Sequence, residues 1–256
     1  MLRSSAVVGL GLVLTCSAQE GELSAKALAE KMSAAVLDNA SSVRLKLEFT
    51  PAKGGEKVVL QLQANASRTA AASDILYKVL WPKERKGEGF VLRKASNQAA
   101  TGSVLTLPDQ VTPLTGGGMK EGIFGSALSY EDLVGNFFGW VSQEIVGTEV
   151  VNRVTCQILE SKPGKGDYSS YASVRSWIDT KRLVPIRIEK FGGGGAIVSR
   201  IVTTRVAKDD TNRQVPASFT VQRAGEEAVT VIEGSNSKHD VTFTAADFSI
   251  EALKAP

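Results

Sequence analysis

Few side chains in this sequence have the type and spacing that covalent or metal chemistry needs. The one histidine, His239, stands in the polar stretch GSNSKHD (234–240). A zinc site requires several clustered ligands, so a histidine-rich site is excluded and His239 reads as a solvated loop residue. A Ser-His-Asp arrangement would have to be built around that same histidine, and the G-x-S-x-G elbow that presents a nucleophilic serine is absent. The glycine runs 116–118 and 192–195 lack the Lys-Ser/Thr of a phosphate loop and the strand-to-helix context of a dinucleotide site, so they read as turns. Asp209-Asp210 and Glu226-Glu227 lie in hydrophilic turns and read as solvated carboxylates, while helix capping accounts for Glu131 and Asp132. The reading is of a protein that is not an enzyme, with no cofactor and no metal.

The stretch IFGSALSYEDLVGNFFGW (123–140) concentrates apolar side chains instead. Ser129 suits a helix N-cap, Asp132 stands three residues on in a capping-box position, and both Glu131 and Asp132 favour the positive end of the helix dipole. Tyr130, Leu133, Val134, Phe137, Phe138 and Val141 then recur at helical spacing, which predicts a helix of about three turns with one apolar face. Gly135 and Gly139 each weaken it by ~1 kcal/mol relative to alanine, whereas each buried phenylalanine supplies ~1.5 to 3 kcal/mol. Two roles fit such a segment. It is a fixed hydrophobic plug against a sheet, or a movable lid that exchanges its own side chains for a ligand's acyl chains.

The elements that would position this segment are mostly strands. VRLKLEFT (43–50) alternates Val43, Leu45, Leu47 and Phe49 with polar residues, the period of two expected when a sheet buries one face. KVVLQLQA (57–64) repeats the pattern after a Gly54-Gly55 turn. Further strand signals at 75–81, 89–94, 104–107, 148–161, 170–179, 185–191, 197–208, 217–223 and 228–233 bring the total to about eleven. No long helical run separates consecutive strands in the second half, so an antiparallel meander is expected there. An amphipathic helix over 24–39, capped by Ser24, places Leu28, Met32, Ala35 and Val36 on one face.

The N-terminal MLRSSAVVGLGLVLTCSAQE has a positive start at Arg3, an apolar run at 6–14 too short to span a bilayer, and small residues at Cys16-Ser17-Ala18. It reads as a signal peptide, residues 1–18, cleaved after Ala18; a lipid-anchored alternative uses Cys16. Removing those eighteen residues from 256 leaves 238, and without Arg3 the formal charge falls from +3 to +2. That charge is too small and too dispersed for a nucleic-acid partner. Cys156 is then the one remaining cysteine, so no intramolecular disulfide is possible, and its alternation with Val154 and Ile158 reads as a buried small hydrophobe. No low-complexity linker divides 19–256, which is read as a single domain.

One further feature of the sequence is a series of motifs in order. Phe124-Gly125-Ser126 leads into Ser-Tyr-Glu-Asp-Leu (129–133), followed by Gly147-x-Glu149, a strand bearing Cys156, a segment with Tyr168 and Tyr171 ending in Trp-Ile-Asp (177–179), and Pro185-x-Arg187-x-Glu189-x-Phe191-Gly192. This series, best from about Ile75 to Ile201, resembles the LolA-like outer-membrane lipoprotein-sorting family. The resemblance implies a mainly β (α+β) fold, a half-open, strongly curved antiparallel β-barrel with helices covering its concave hydrophobic face. It implies a monomeric periplasmic carrier that binds the acyl chains of lipoproteins or lipids, taken from an inner-membrane transporter and passed toward an outer-membrane acceptor. A second reading is a non-catalytic periplasmic sensor or partner-binding module using the same pocket. Candidate cavity residues are Val43, Leu45, Leu47, Phe49, Leu60, Leu62, Tyr77, Val79, Trp81, Leu133, Phe137 and Phe138. For each of these, ordinary core packing is the alternative. Members of the family latch the lid with an arginine, and the sequence does not single one out.

Overall fold

A computed structural model of the protein describes residues 23–37, 40–51 and 54–255. The expected signal peptide and Cys16 lie outside the described residues. Helix α1 (Ala25–Val36) is capped by Ser24, whose hydroxyl accepts from the Ala27 N–H at 3.2 Å, and it buries Leu28, Ala29 and Met32. Strands β1 (Ala40–Phe49), β2 (Val58–Arg68), β3 (Ala72–Trp81), β4 (Gly89–Ala95), β5 (Thr101–Thr106) and β6 (Gln110–Leu114) form one meander. Strands β7 (Ser142–Val151), β8 (Val154–Lys162), β9 (Ser173–Asp179), β10 (Val184–Phe191), β11 (Ile197–Lys208), β12 (Gln214–Arg223) and β13 (Val229–His239) form another. The two meanders join through antiparallel pairing of β1 with β13, giving a single strongly curved, open sheet of 13 strands. Its spatial order runs β6-β5-β4-β3-β2-β1-β13-β12-β11-β10-β9-β8-β7. Two short helices, α2 (Tyr130–Val134) and α3 (Ile250–Lys254), complete the regular elements.

Alternation decides which face of the sheet is inside. In β1 and β2 the pairs Leu45–Leu62 and Leu47–Leu60 stand opposite one another, so the apolar side chains of both strands share one face. Ile75, Tyr77 and Val79 of β3 continue that face, and Phe90 of β4 stacks on Tyr77 with ring centroids 5.0 Å apart. Register shifts interrupt the pairing in β1, β2, β7, β10 and β11. Such bulges bend a strand and increase its twist, which suits a sheet that curls around its contents.

The strand count exceeds the expected eleven for two local reasons. The run read as one strand over 148–161 is the hairpin β7–β8, turned at Asn152 and Arg153, both of which adopt positive φ (51° and 65°). Paired positive φ values make the tight turn whose twist matches the flanking strands. Strand β6 carries Pro113, which weakens its strand signal; it is an edge strand, where a missing N–H is tolerated. The expected three-turn helix is also shorter. α2 ends at Gly135, whose φ/ψ of −74°/132° is extended, and a single turn of 3₁₀ helix follows at Phe137–Gly139. Glycine's helix cost, together with separate packing on each side, breaks the element in two.

Candidate functional site

Strands β6 and β7 are the two opposite edges of the sheet, so the connection between them, residues 115–141, must cross from one rim to the other. It crosses over the concave face. Met119, Ile123, Ala127, Leu128, Tyr130 and Val134 of the connection join the apolar side chains of β1–β4 in the largest core cluster. Tyr130 packs edge-on against Phe90 at 4.9 Å, and burial pushes its phenol up to about 12. Near the start of the crossing, residues 122–129 make a close turn. A Cβ on Gly122 would lie 1.7 Å from the Ser126 carbonyl oxygen, so only glycine fits there.

Polar contacts hold the crossing in register. The Ala127 N–H donates to the Thr230 hydroxyl at 2.8 Å, and Arg223 donates to the carbonyls of Ala127 (3.1 Å) and Lys120 (3.0 Å). Arg68, from the other meander, donates to the Leu133 carbonyl at 3.3 Å. In α2, Ser129 and Asp132 form the capping box expected of them, and Asp132 has a second task. Its carboxylate pairs with Lys190 of β10 and accepts from the Tyr171 hydroxyl at 2.6 Å. Both charged side chains are nearly sealed, at 2% exposure for Asp132 and 3% for Lys190. Burial opposes the charge on Asp132, but the Lys190 ammonium and the Tyr171 and Ser129 hydrogen bonds outweigh it and hold the carboxyl below the usual carboxylate range. Burial and the neighbouring Asp132 charge push the Tyr171 phenol up. Glu131 accepts from the Ser169 hydroxyl and the Ser170 N–H, each at 2.8 Å.

Beneath α2 lies a cavity of about 290 Å³ with an almost wholly apolar lining. One wall is Leu45 and Leu47 of β1, Leu62 of β2 and Tyr77 of β3. The facing wall comes from the other meander, with Ile188 of β10, Ile201 and Thr203 of β11, Phe219 of β12 and Ile232 of β13. Ile123, Leu128, Asp132 and Leu133 of the crossing form the roof. Of the residues singled out in the sequence, Leu45, Leu47, Leu62, Tyr77 and Leu133 line this space. Phe49, Leu60 and Val79 are buried in the core cluster around it. Val43 is half-buried earlier on β1, and Trp81 is 50% exposed at the end of β3. Phe137 and Phe138 are not brought to the cavity. They pack with Leu28 and Met32 of α1, Leu159 and Ile178 in a separate cluster.

The far wall was missed because β10 to β13 carry mixed sequences, in which Thr203 and Ser199 interrupt the apolar pattern. The signal for Lys190 was available: it stands two residues after Ile188 on an alternating strand, where an apolar residue is expected.

The residues weighed for catalysis are placed elsewhere. Cys156 is fully buried among Trp177, Val184 and Ile186, and burial pushes its thiol up to about 11. His239 is not a solvated loop residue: it ends β13 with its ring 10% exposed and paired with Asp210. Asp209 is likewise not solvated. Burial opposes its charge, but hydrogen bonds from Thr211 and Arg213 and the Arg213 guanidinium keep its carboxyl below the ordinary range. Asp209, Asp210 and His239 offer ligand atoms within 4.8 Å of one another, and each of the three already has a partner in the protein.

A family model described as "Uncharacterized protein" matches residues 72–255. No curated protein matches the sequence. Among solved structures, a DUF1329 family protein from Desulfovibrio piger superposes with a TM-score of 0.81 at 21% identity, covering 90% of this chain and 97% of that one. A domain described as an outer membrane lipoprotein-sorting protein from Vibrio parahaemolyticus gives 0.76 at 16% identity, covering 89% and 97%. A LolA superfamily protein from Nitrosomonas europaea gives 0.68 at 13%, covering 89% and 98%. The motif resemblance in the sequence and these superpositions agree on one architecture: the chain belongs to the family of the matching model and has the LolA-like fold.

Proposed function

We propose that this chain is an exported, single-domain carrier that takes up the acyl chain of a lipoprotein or lipid beneath α2. It would receive cargo from an inner-membrane transporter and release it toward an outer-membrane acceptor. The observation that carries the reading is the apolar cavity between the two meanders, roofed by a five-residue helix. Its volume is near the lower end of the ~300 to 1,000 Å³ range of small-ligand pockets. Each methylene entering such a space contributes ~0.8 kcal/mol, so a chain of several carbons offsets the loss of a few polar contacts at the roof. Arg68 and Arg223 both donate to carbonyls of the crossing, so two arginines rather than one are candidates for holding it closed.

The test is binding of a fluorescent fatty acid to purified protein, followed by transfer to acceptor vesicles. Saturable binding is expected in the wild type and its loss in Ile201→Trp, which fills the cavity. Protein that carries no lipid from its host and never binds the probe would sink the carrier reading.

A further inference from the structure

The concave face of β11 changes character along its length. Thr203 and Ile201 line the apolar cavity, and Ser199, two residues back on the same face, lines a second recess of about 360 Å³. Asp132 belongs to both linings and is the wall between them. The second recess has a far larger polar share in its lining than the apolar cavity does. Ser129, Ser170, Tyr171 and Ser199 bring hydroxyls to it, and Lys120 and Arg223 bring positive charge.

Three details show that this recess has unmet polar capacity. Ser199 is 5% exposed, and its hydroxyl has no hydrogen-bond partner among the described residues. A buried hydroxyl without a partner is destabilising unless something enters to satisfy it. Arg223 is fixed at the wall because two of its nitrogens donate to the carbonyls of Ala127 and Lys120, so its charge is held in place before anything binds. Asp132 is the one carboxylate in the lining, and Lys190 matches its charge. Glu131, next to it in sequence, is taken up by Ser169 and Ser170. The charges of Lys120 and Arg223 are therefore not cancelled within the lining.

We infer that this recess is a headgroup subsite for a phosphate-bearing amphiphile whose acyl chain occupies the apolar cavity across Asp132. The inference rests on the acyl-chain reading of that cavity and adds the chemical class of the cargo. A phosphate offers several charged acceptor oxygens, enough for a lysine, an arginine and a buried hydroxyl together. A neutral glycerol ester offers no counter-charge to either cation, and Arg223 is the half-buried one of the two. Gly192 and Gly193 lie at the recess, and a Cβ built on Gly193 meets nothing within 4 Å, so a side chain can be added there without strain.

The experiment is calorimetric titration of the protein, below micellar concentration, with lauroyl lysophosphatidic acid, lauroylglycerol and inorganic phosphate. The phosphate-bearing lipid is expected to bind about tenfold more tightly than lauroylglycerol, the gain of one charge-assisted contact. Gly193→Asp and Lys120→Glu each place a negative charge at the recess, and both are expected to erase that advantage while leaving lauroylglycerol affinity unchanged. Equal affinity of the wild type for the two lipids overturns the headgroup subsite and leaves the acyl-chain reading standing. Inorganic phosphate binding as tightly as the phosphate-bearing lipid also overturns it, because the recess then takes a free anion. Failure of every lipid to bind removes the acyl-chain reading and the subsite with it.

Discussion

Residues 129–134 and 136–140 are neighbours in the crossing segment, separated by one glycine, and they are anchored by different forces. The first piece sits over the cavity, where Tyr130 and Val134 pack into the core and directional contacts are added: Asp132 to Lys190 and Tyr171, Glu131 to Ser169 and Ser170, and Arg68 to the Leu133 carbonyl. The second is wedged by apolar bulk. Phe137 and Phe138 lie 4.4 Å apart between centroids and pack on α1 and the strands beneath it. Gln143 donates to the carbonyls of Phe137 (2.9 Å) and Trp140 (3.0 Å), and Asn136 reaches Ser33 of α1 at 2.9 Å. The phenylalanines that make this stretch conspicuous in the sequence are thus its fixed foot. The piece over the cavity adds to its packed Tyr130 and Val134 a set of polar contacts, each of which can be removed singly, whereas apolar packing yields only with the whole cluster.

The sharpest way to break this comparison is to remove one charge under α2. Lys190→Met leaves a buried carboxylate unpaired and is expected to cost about 3 to 5 kcal/mol in denaturant unfolding. Adding Asp132→Leu to it should restore much of that loss, since the pair together is replaced by apolar volume. Phe138→Ala, in the foot, should cost about 3 to 4 kcal/mol by cavity formation and leave fatty-acid affinity within twofold of wild type. A large fall in affinity would show that the foot takes part in binding.

A smaller effect follows from acid. Because the folded-state carboxyl of Asp132 is held below its ordinary value, its contribution to stability is complete above the unfolded value of about 4. It is lost as pH falls through the lower folded value. The stability difference between wild type and Asp132→Asn should therefore narrow on acidification below about pH 4, as read by unfolding curves at several pH values. The smallest expected change is at the joint. At Gly135, with its ordinary negative φ, a Cβ would meet the Glu131 carbonyl oxygen at 3.3 Å, so Gly135→Ala should shift stability by less than about 1 kcal/mol.

Much of this architecture was legible because it follows from local alternation. Leu45, Leu47 and Leu62 announced both their strands and their shared face, and the order of motifs from Phe124 to Gly192 indicated the fold. The breaks were harder to see, since the hairpin at Asn152-Arg153 interrupts a stretch of uniformly strand-like composition. Asp132 and Lys190 were the least legible pair. Asp132 already had a sufficient local role as a helix cap, and its partner lies 58 positions away, where only the folded sheet brings β10 under α2. The apolar weight of Phe137 and Phe138 identified a packed segment without locating the space beside it. Burial alone cannot distinguish a side chain that lines a void from one that fills it.

The pairing of β1 with β13 has a consequence for how the molecule is made. Arg44 and Ser235 face each other across this seam at a separation of 191 positions in the chain. Each meander can assemble from neighbours as it is synthesised, but the wall they share waits for the final strand, β13. Until then the greasy interior stands open to solvent, and closing so distant a contact is slow. A chain threaded N-terminus first through a membrane pore would therefore need protection from aggregation until its tail emerged.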